Sequence, residues 1–348
     1  MWKSLKDQVV VITGASSGVG QATAEEFAKR EAKLVLAARD ASALQLVAKT
    51  CRELGAEVLV APTDVTDAGA VKKLAEKAMS FGKIDIWFSN VGVGAVGRFE
   101  ETPIEAHQQV IRTNLIGHFN DAHAVIPIFL RQRHGIFINM ISLGGFAATP
   151  FAAAYGASKF GLRGFSEALR AELADEPDIH ICDVYPTFMD TPGVAHGANY
   201  TGRKLSVPPP VYDARRAARA IVRLAEHPRT SITVGAVADL ARLAHFLAPN
   251  TSSRLTAYLT SRYLRQAPRV ERSNGNLFRA PAIPGGVEGG WRSERRVPIA
   301  GVAAAVVVGL ALAAVVSGMP RASHRRGFFP LQAAAMGRRL FKSGGFLR

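Results

Sequence analysis

Cysteine is scarce in this chain, with two residues, Cys51 and Cys182, among 348. One falls in a helical pattern and the other in a strand pattern, which excludes a disulfide scaffold and indicates a reducing compartment. The first seven residues have no apolar core, so we expect no secretory signal. The nine histidines show no metal-ligand spacing, and no segment resembles the nucleophile elbow of a serine hydrolase. The sequence therefore predicts neither a metal site nor a hydrolase.

Acidic residues are also few, since 28 Asp and Glu face 43 Lys and Arg and leave a net charge of +15. Residues 271–348 contain twelve of the basic residues and three of the acidic ones, so most of the excess charge lies there. Basic tails can bind nucleic acid or anionic lipid. Because no RNA-binding signature or aromatic–basic interleaving accompanies the charge, we expect no nucleic-acid partner.

The hydrophobic pattern alternates between short apolar runs and amphipathic helical stretches. Predicted strands lie at 9–12, 33–38, 57–61, 84–89, 135–141, 179–185 and 231–234, and predicted helices at 18–30, 41–54, 67–80, 103–131, 155–174 and 211–225. This alternation predicts a Rossmann-type doubly wound α/β fold, with about seven parallel strands and helices on both faces. Ligands bind such sheets at the carboxyl ends of the strands.

This pattern places a catalytic domain at residues 1–235, with a substrate loop at 187–210. The loop is rich in Gly and Pro and reads as a long mobile segment. Residues 236–270 read as a helical extension that breaks at Pro249. Its apolar stripe either packs on the main domain or serves an interfacial or substrate-tunnel role.

The C-terminal part divides into three segments by composition. Residues 271–296 contain many Gly and Pro and are predicted to form a linker. Residues 297–320 carry no charge and would extend about 36 Å as a helix, enough to cross ~30 Å of hydrocarbon. We predict a single-pass membrane anchor rather than a buried core helix, with a basic tail at 321–348 and the catalytic domain in the cytosol.

Tyr155 and Lys159 are four residues apart in a predicted helix, so their side chains share one face. A phenol with an ordinary pKa of about 10 exchanges protons poorly near neutral pH. A neighbouring ammonium group favours the phenolate and lowers that pKa. The pair is therefore a candidate general acid and base.

A glycine-rich turn, Thr13–Gly20, joins the first strand to the first helix. Gly14 permits the tight turn, Gly18 lets the backbone approach a pyrophosphate, and Gly20 allows the helix to pack closely on the strand. The spacing differs from the dinucleotide fingerprint, because the glycines read G-x-x-x-G-x-G. The position between strand and helix nevertheless predicts a dinucleotide site.

Arg39 follows the second strand, where a basic side chain can pair with a 2′-phosphate. This residue favours NADP(H), while the adjacent Asp40 leaves NAD(H) as the less favoured choice. Asp64 follows the third strand and could accept a hydrogen bond from the adenine amino group, or act as a helix cap or turn residue.

The chain resembles the short-chain dehydrogenase/reductase family over residues 6–235. The motifs that carry this resemblance are the turn Thr13–Gly20, Asn90 and Gly92 after the fourth strand, the set Asn114, Ser142, Tyr155 and Lys159, and Pro186 with Thr191 after the sixth strand. Ser89, Val91, Thr187 and Met189 depart from the family pattern. The resemblance implies cofactor contacts from Gly14, Ser16, Ser17, Gly18, Val19, Gly20, Arg39, Asp64, Val65, Asn90, Gly92, Tyr155, Lys159, Pro186 and Thr191.

The resemblance also implies a mechanism. Tyr155 would exchange a proton with the substrate oxygen, and Ser142 would hydrogen-bond that oxygen. Lys159 would hold the nicotinamide ribose and lower the pKa of Tyr155, and Asn114 would fix a water that passes protons to Lys159. Thr191 would bind the carboxamide.

We therefore expect an NADP(H)-dependent oxidoreductase acting on a small, lipophilic carbonyl or alcohol. The alternative from another class is a catalytically idle NADP-binding scaffold or sensor. A nucleic-acid binder with a basic tail would show steep salt dependence, and the charge-free segment 297–320 fits it poorly. The resemblance further implies a homodimer or homotetramer that assembles through the helices bearing Asn114 and Tyr155.

Overall fold

The computed structural model describes residues 4–147, 149–281 and 285–292. The strands are β1 (Val9–Thr13), β2 (Lys33–Ala38), β3 (Val58–Pro62), β4 (Ile84–Ser89), β5 (Ala95–Val96), β6 (Gly135–Met140), β7 (Ile179–Pro186), β8 (Met189–Asp190), β9 (Ala198–Asn199), β10 (Tyr212–Asp213) and β11 (Ser231–Val234). The helices are α1 (Gly18–Ala28), α2 (Ala41–Glu53), α3 (Ala68–Met79), α4 (Ile104–Ile111), α5 (Gly117–Gln132), α6 (Ala153–Glu172), α7 (Gly193–His196), α8 (Ala214–Glu226), α9 (Ala236–Leu247) and α10 (Pro249–Gln266).

Seven strands form one parallel sheet in the order β11-β7-β6-β4-β1-β2-β3. Strand β1 is buried at every residue, because helices cover both faces of the sheet. The chain leaves β1 toward one edge and returns at β4 toward the other. This reversal opens a crevice at the carboxyl ends of β1 and β4, where ligands of such sheets bind. The predicted doubly wound fold is confirmed.

Two hydrophobic clusters lie on opposite faces of the sheet. On β4 the consecutive residues Trp87 and Phe88 point to opposite sides, and each joins a different cluster. One cluster packs the sheet against α1, α2 and α8, and the other packs it against α3 and α5. Both side chains are fully buried, so the strands that end at the crevice are held rigidly from both faces.

Three regions differ from the sequence expectation. The helical stretch predicted at 103–131 is interrupted by a π-helical segment, Arg112–Ile116, between α4 and α5. The loop predicted at 187–210 contains β8, α7 and β9. Residues 271–281 and 285–292 do not form a free linker, because they pack along the crevice, as described below.

The helical extension breaks at the predicted place, since α9 ends at Leu247 and α10 begins at Pro249. Much of its apolar stripe stays exposed, although the Tyr263 hydroxyl donates to the Lys204 carbonyl at 2.8 Å. Leu243, Phe246, Leu247, Leu255, Tyr258, Leu259 and Tyr263 all keep between 40% and 81% of their surface exposed.

Within the part of the chain that the structure describes, no helix is long and apolar enough to cross a bilayer. The predicted membrane segment 297–320 and the basic tail 321–348 lie outside the described residues.

Candidate active site

The glycine turn between β1 and α1 lines one side of the crevice. Gly14 and Gly18 have φ values of +68° and +56°, which favour glycine. A Cβ on Gly18 would lie 3.2 Å from Cβ of Thr191, so only a glycine fits here without displacing that residue. A Cβ on Gly20 would overlap the carbonyl oxygen of Gly14. The glycines therefore let α1 start directly against the turn, as the sequence predicts.

Asn90, directly after the neighbouring strand β4, hydrogen-bonds to this turn. Its Nδ2 donates to the carbonyl oxygens of Gly14 at 3.1 Å and Thr13 at 3.3 Å. Two residues later, a Cβ on Gly92 would lie 4.0 Å from Nζ of Lys159. The segment after β4 therefore connects the glycine turn to the predicted catalytic lysine.

Asn114 lies in the π-helical segment and is fully buried. Its Oδ1 accepts from the Val93 amide at 2.8 Å, and its Nδ2 donates to the Val93 carbonyl at 2.9 Å. The same Nδ2 contacts Oγ of Ser158 at 3.3 Å, and Ser158 in turn donates to the Tyr155 carbonyl at 2.7 Å. One extra residue in a helical turn re-aims a side chain, and such segments are frequent at functional sites. Asn114 thereby joins the segment after β4 to α6.

Ser142 follows β6 with a φ of +116°, a conformation that a serine rarely adopts. Its Oγ accepts from the Gly144 amide at 3.2 Å, and the Ser142 side chain is near enough to the Tyr155 phenol to act on its pKa in the lowering direction. A Cβ on Gly144 would lie 3.1 Å from Cε1 of Tyr155. The strained backbone thus directs the Ser142 hydroxyl toward the phenol.

Tyr155 and Lys159 lie one turn apart on α6, with Nζ of Lys159 5.8 Å from the centre of the Tyr155 ring. Lys159 is 3% exposed, and its Nζ donates to the Met140 carbonyl at 3.0 Å. Burial lowers the pKa of Lys159 to about 7, because desolvation disfavours the charged ammonium. The structure therefore brings the four predicted catalytic residues together at one end of the sheet.

The pKa of Tyr155 does not follow the sequence expectation. Burial raises this pKa above its ordinary value, while the hydrogen bond with Ser142 acts in the opposite direction. The expected lowering by Lys159 is not found in this structure. The reason is that Lys159 is itself desolvated and directs its Nζ to a backbone carbonyl.

The predicted adenosine contacts occupy the far side of the crevice. Arg39 donates to the carbonyl oxygens of Asn276 at 2.7 Å, Arg279 at 3.2 Å and Leu277 at 3.4 Å. Asp40 caps α2 through the Ala43 amide at 3.0 Å, so its carboxylate serves the helix.

Asp64 and Val65 follow β3. Oδ1 of Asp64 accepts from the amide and the hydroxyl of Thr66 at 2.9 and 2.8 Å, which is the turn role, and the contact with adenine stays a prediction. Val65 is buried, and its carbonyl accepts from Nδ2 of Asn120 at 2.8 Å.

Ser16, Ser17 and Val19 lie in the turn itself, and Ser17 precedes α1 in an extended conformation. Pro186 ends β7 and is buried, and Thr191 lies against Gly18. Apart from Tyr155 and Lys159 on α6, the predicted cofactor residues therefore lie at the carboxyl ends of the strands or in the segments that directly follow them.

Two buried groups near the crevice were not predicted from the sequence. Asp121 on α5 accepts from the hydroxyls of Ser89 at 2.7 Å and Thr13 at 2.9 Å, and burial raises its pKa to about 7. His118 contacts the Val91 carbonyl at 2.9 Å, and burial lowers its pKa to about 4. In the sequence, the only indication of these two groups was that His118 and Asp121 are ionisable residues on the apolar face of one predicted helix. Both support the strand ends that carry the predicted site.

A cavity of about 850 Å³ lies along α4, the π-helical segment and α6. Its lining includes Ile104, Ile111, Ala153 and Ala157. Across the described residues, no three His, Cys, Asp or Glu side chains are placed to share a metal ion.

Comparison with known proteins identifies a family and several similar oxidoreductases. Residues 8–199 match the family model described as short chain dehydrogenase. An uncharacterized oxidoreductase, YxnA of Bacillus subtilis strain 168, is 32% identical over 326 residues, covering 88% of this chain and 90% of that protein. An alignment of that coverage necessarily extends past residue 292.

Other relatives match a smaller part of the chain. Dehydrogenase/reductase SDR family member 7 of Mus musculus is 38% identical over 188 residues, which is 52% of this chain and 55% of that protein. Among solved structures, an alcohol dehydrogenase from the archaeon Thermococcus sibiricus, complexed with 5-hydroxy-NADP, superimposes with a TM-score of 0.57 at 26% identity and covers 66% of this chain and 96% of its own. A metagenomic short-chain oxidoreductase in complex with NADP gives a TM-score of 0.57 at 26% identity, covering 67% of this chain and 98% of its own.

Proposed function

Because the chain belongs to the short-chain dehydrogenase family, we propose that it is an NADP(H)-dependent oxidoreductase that interconverts a carbonyl compound and an alcohol. The observation that carries this proposal is the meeting of Tyr155, Ser142 and Lys159 at the end of the sheet that also bears the glycine turn. The two NADP-type complexes among the similar structures support the choice of cofactor.

The residues of the crevice fit a phosphorylated dinucleotide. The Gly18 amide donates to a carbonyl oxygen at 2.8 Å, and Arg39 donates to three more carbonyl oxygens. These oxygens stand in for the phosphate oxygens that a dinucleotide would present. Arg39 would therefore hold the 2′-phosphate and Gly18 the pyrophosphate, and this assignment favours NADP(H) over NAD(H).

Bound NADP(H) supplies or accepts the hydride. The Tyr155 hydroxyl donates a proton to the substrate oxygen during reduction and accepts it during oxidation. Ser142 orients that oxygen through a hydrogen bond, and Lys159 holds the ribose near Tyr155. Asn114 connects α6 to the segment after β4 through its hydrogen bonds. Its role in water-mediated proton transfer to Lys159 stays a prediction.

We assign a lipophilic substrate to this site. Tyr155 packs against a cluster that contains Val93, Ala154 and Tyr200, so one side of its ring is apolar. An apolar carbonyl compound would be desolvated favourably there, whereas a sugar would leave its hydroxyls unpaired.

The subunit would assemble as a homodimer or homotetramer through α5 and α6. Ile116, Phe119 and Phe160 expose 40%, 37% and 42% of their surfaces, and Ile116 also lines the cavity along α4 and α6. Light scattering of Phe160→Glu against wild type would test this, since a charge there should favour the monomer.

The test of the function uses the purified full chain with NADPH or NADH and a series of aldehydes and ketones of increasing chain length. Tyr155→Phe removes one hydroxyl and should lower turnover by about 10²–10⁴-fold. The NADPH dissociation constant should stay nearly unchanged. Tyr258→Phe, on exposed α10, is the matched control and should behave as wild type.

Wild-type turnover by Tyr155→Phe would contradict the role of the phenol. NADPH binding without oxidation by any carbonyl compound would instead favour an idle NADP-binding scaffold. Turnover confined to hydrophilic sugars would refute the lipophilic substrate.

A further inference from the structure

The C-terminal segment made of residues 269–281 and 285–292, here termed the strap, lies along the crevice. It begins with antiparallel backbone pairs, Arg203 with Arg269 and Asn199 with Ser273. The Asn276 amide then donates to the His196 carbonyl at 2.7 Å. The first part of the strap therefore pairs with the loop after β7, and the following residues lie beside Arg39 and the glycine turn.

The middle of the strap binds the groups that the proposed function assigns to phosphates. Asn276, Leu277 and Arg279 place their carbonyl oxygens on the Arg39 guanidinium. The Gly286 carbonyl accepts from the Gly18 amide at 2.8 Å. An amide hydrogen directed at one oxygen at this distance cannot also bind a second oxygen in good geometry.

Asp190 binds the C-terminal end of the strap, residues 289–292. Its Oδ1 accepts from the amides of Gly289 at 3.1 Å and Trp291 at 2.8 Å, and its Oδ2 pairs with Nε of Arg292 at 2.9 Å. Asp190 is nearly fully buried, whereas the Arg292 side chain keeps 37% of its surface exposed, so the charged pair lies at the edge of the crevice. Nε1 of Trp291 also donates to the carbonyl of Thr191, a predicted carboxamide contact, at 3.0 Å.

Apolar side chains of the strap are buried in the domain. Leu277 is fully buried in the cluster against which Tyr155 packs, and Val287 is 5% exposed beside Ala22 and Ala218. Glycine permits the close fit at Gly285, where a Cβ would lie 2.7 Å from the Ser16 carbonyl and 3.2 Å from Cβ of Ser17. The strap thus follows the crevice from the predicted catalytic side to the glycine turn.

We propose that the strap is an intramolecular competitor of the dinucleotide, so that the cofactor binds only when residues 275–281 and 285–292 leave the crevice. This inference rests on the proposed function, because it takes Gly18 and Arg39 as phosphate-binding groups. Occupation of those donors by strap carbonyls reduces the fraction of molecules competent to bind, and it raises the apparent dissociation constant by the same factor. Any contact that draws the strap away therefore increases cofactor affinity.

Hydrogen–deuterium exchange of the wild-type full chain, with and without saturating NADP⁺, tests the proposal directly. We expect NADP⁺ to slow exchange in peptides covering 13–20 and to accelerate it in peptides covering 275–281 and 285–292. A strap that closes over bound cofactor would instead become more protected.

Slower exchange at 13–20, with the strap unchanged or more protected, would overturn the competition and leave the cofactor assignment intact. No change in either region, together with no NADP⁺ or NAD⁺ binding by equilibrium dialysis, would overturn the proposed function and this inference with it.

A variant provides a second measurement. Gly285→Leu places a side chain against the Ser16 carbonyl and should displace the strap, lowering the NADPH dissociation constant at least about fivefold. Gly164→Leu is the matched control, because a Cβ on Gly164 meets nothing within 4 Å. An unchanged or higher dissociation constant for Gly285→Leu would contradict the proposal.

Discussion

The side of the crevice proposed for catalysis and the side proposed for the nucleotide satisfy their polar groups in different ways. On the catalytic side, Asn114 and Lys159 bind the backbone at Val93 and Met140, which belongs to the sheet and the turns that follow it. On the nucleotide side, Arg39 binds Asn276, which is 237 positions away in the chain. The first set of groups binds partners within the folded domain, whereas the second set would exchange its partners if the strap moved as proposed.

Because of this difference, turnover and cofactor affinity should respond to different substitutions. Substitutions of Ser142 and Tyr155 should change turnover or stability and leave cofactor affinity nearly constant, whereas Lys159 is also proposed to hold the ribose. Substitutions on the nucleotide side should change affinity through both the cofactor and the strap.

The largest expected change in cofactor affinity comes from Arg39→Ala on the side proposed for the nucleotide. Loss of the charged hydrogen bonds to a 2′-phosphate should weaken NADPH binding by about 10–100-fold. NADH binding should stay constant or become tighter, because the strap loses three contacts at the same time. Titration with both cofactors measures the ratio, and Arg219→Ala on α8 is the control. An equal loss of affinity for NADPH and NADH would contradict the assignment of Arg39 to the 2′-phosphate.

The second prediction concerns stability on the catalytic side. Burial holds the pKa of Lys159 at about 7, below its ordinary value, so the unfolded chain binds more protons between about pH 10 and pH 7. Stability is therefore lost as pH falls through this window. Lys159→Met should raise the free energy of unfolding by about 1–3 kcal/mol at pH 7, with little gain above about pH 10, and should abolish turnover.

Urea unfolding from pH 6 to pH 10 measures this effect, and Lys73→Met, at an exposed site on α3, should give no such pH dependence. A lower stability of Lys159→Met at every pH would show that its bond to Met140 outweighs the cost of burying the amine.

The smallest predicted effect distinguishes two replacements of Ser142. Glycine tolerates the φ of +116° and alanine does not, so Ser142→Gly should be more stable than Ser142→Ala by about 1 kcal/mol. Both variants should turn over slowly with unchanged NADPH affinity, because neither touches the strap. Thermal unfolding measures the first difference, and equal stabilities would argue against backbone strain at this position.

Several elements were predictable because their causes are local. The uninterrupted apolar run of β1 predicted a strand covered on both faces, and the Gly14 and Gly18 positions require backbone conformations that few other residues adopt. The break at Pro249 follows from the lack of a backbone N–H. The four-residue spacing of Tyr155 and Lys159 fixed their common face once α6 formed.

Other features could not be predicted, because they depend on partners distant in sequence. Composition predicted a linker at 271–296, since glycine and proline are typical of both flexible connections and tightly fitted irregular segments. The burial of Leu277 and the pairing of Asp190 with Arg292 depend on the finished crevice. The pKa of Tyr155 was also missed, because residue spacing gives the distance to a charge and not the extent of desolvation.

The sequence by itself determined the parallel sheet, the glycine turn and the residues that line the carboxyl edge, because apolar periodicity and backbone restrictions act over a few neighbouring positions. Only the tertiary structure decided which groups those residues bind. Hydrogen bonding and desolvation depend on what lies within a few ångströms in space, and for Gly18, Arg39 and Asp190 the nearest partners come from the strap.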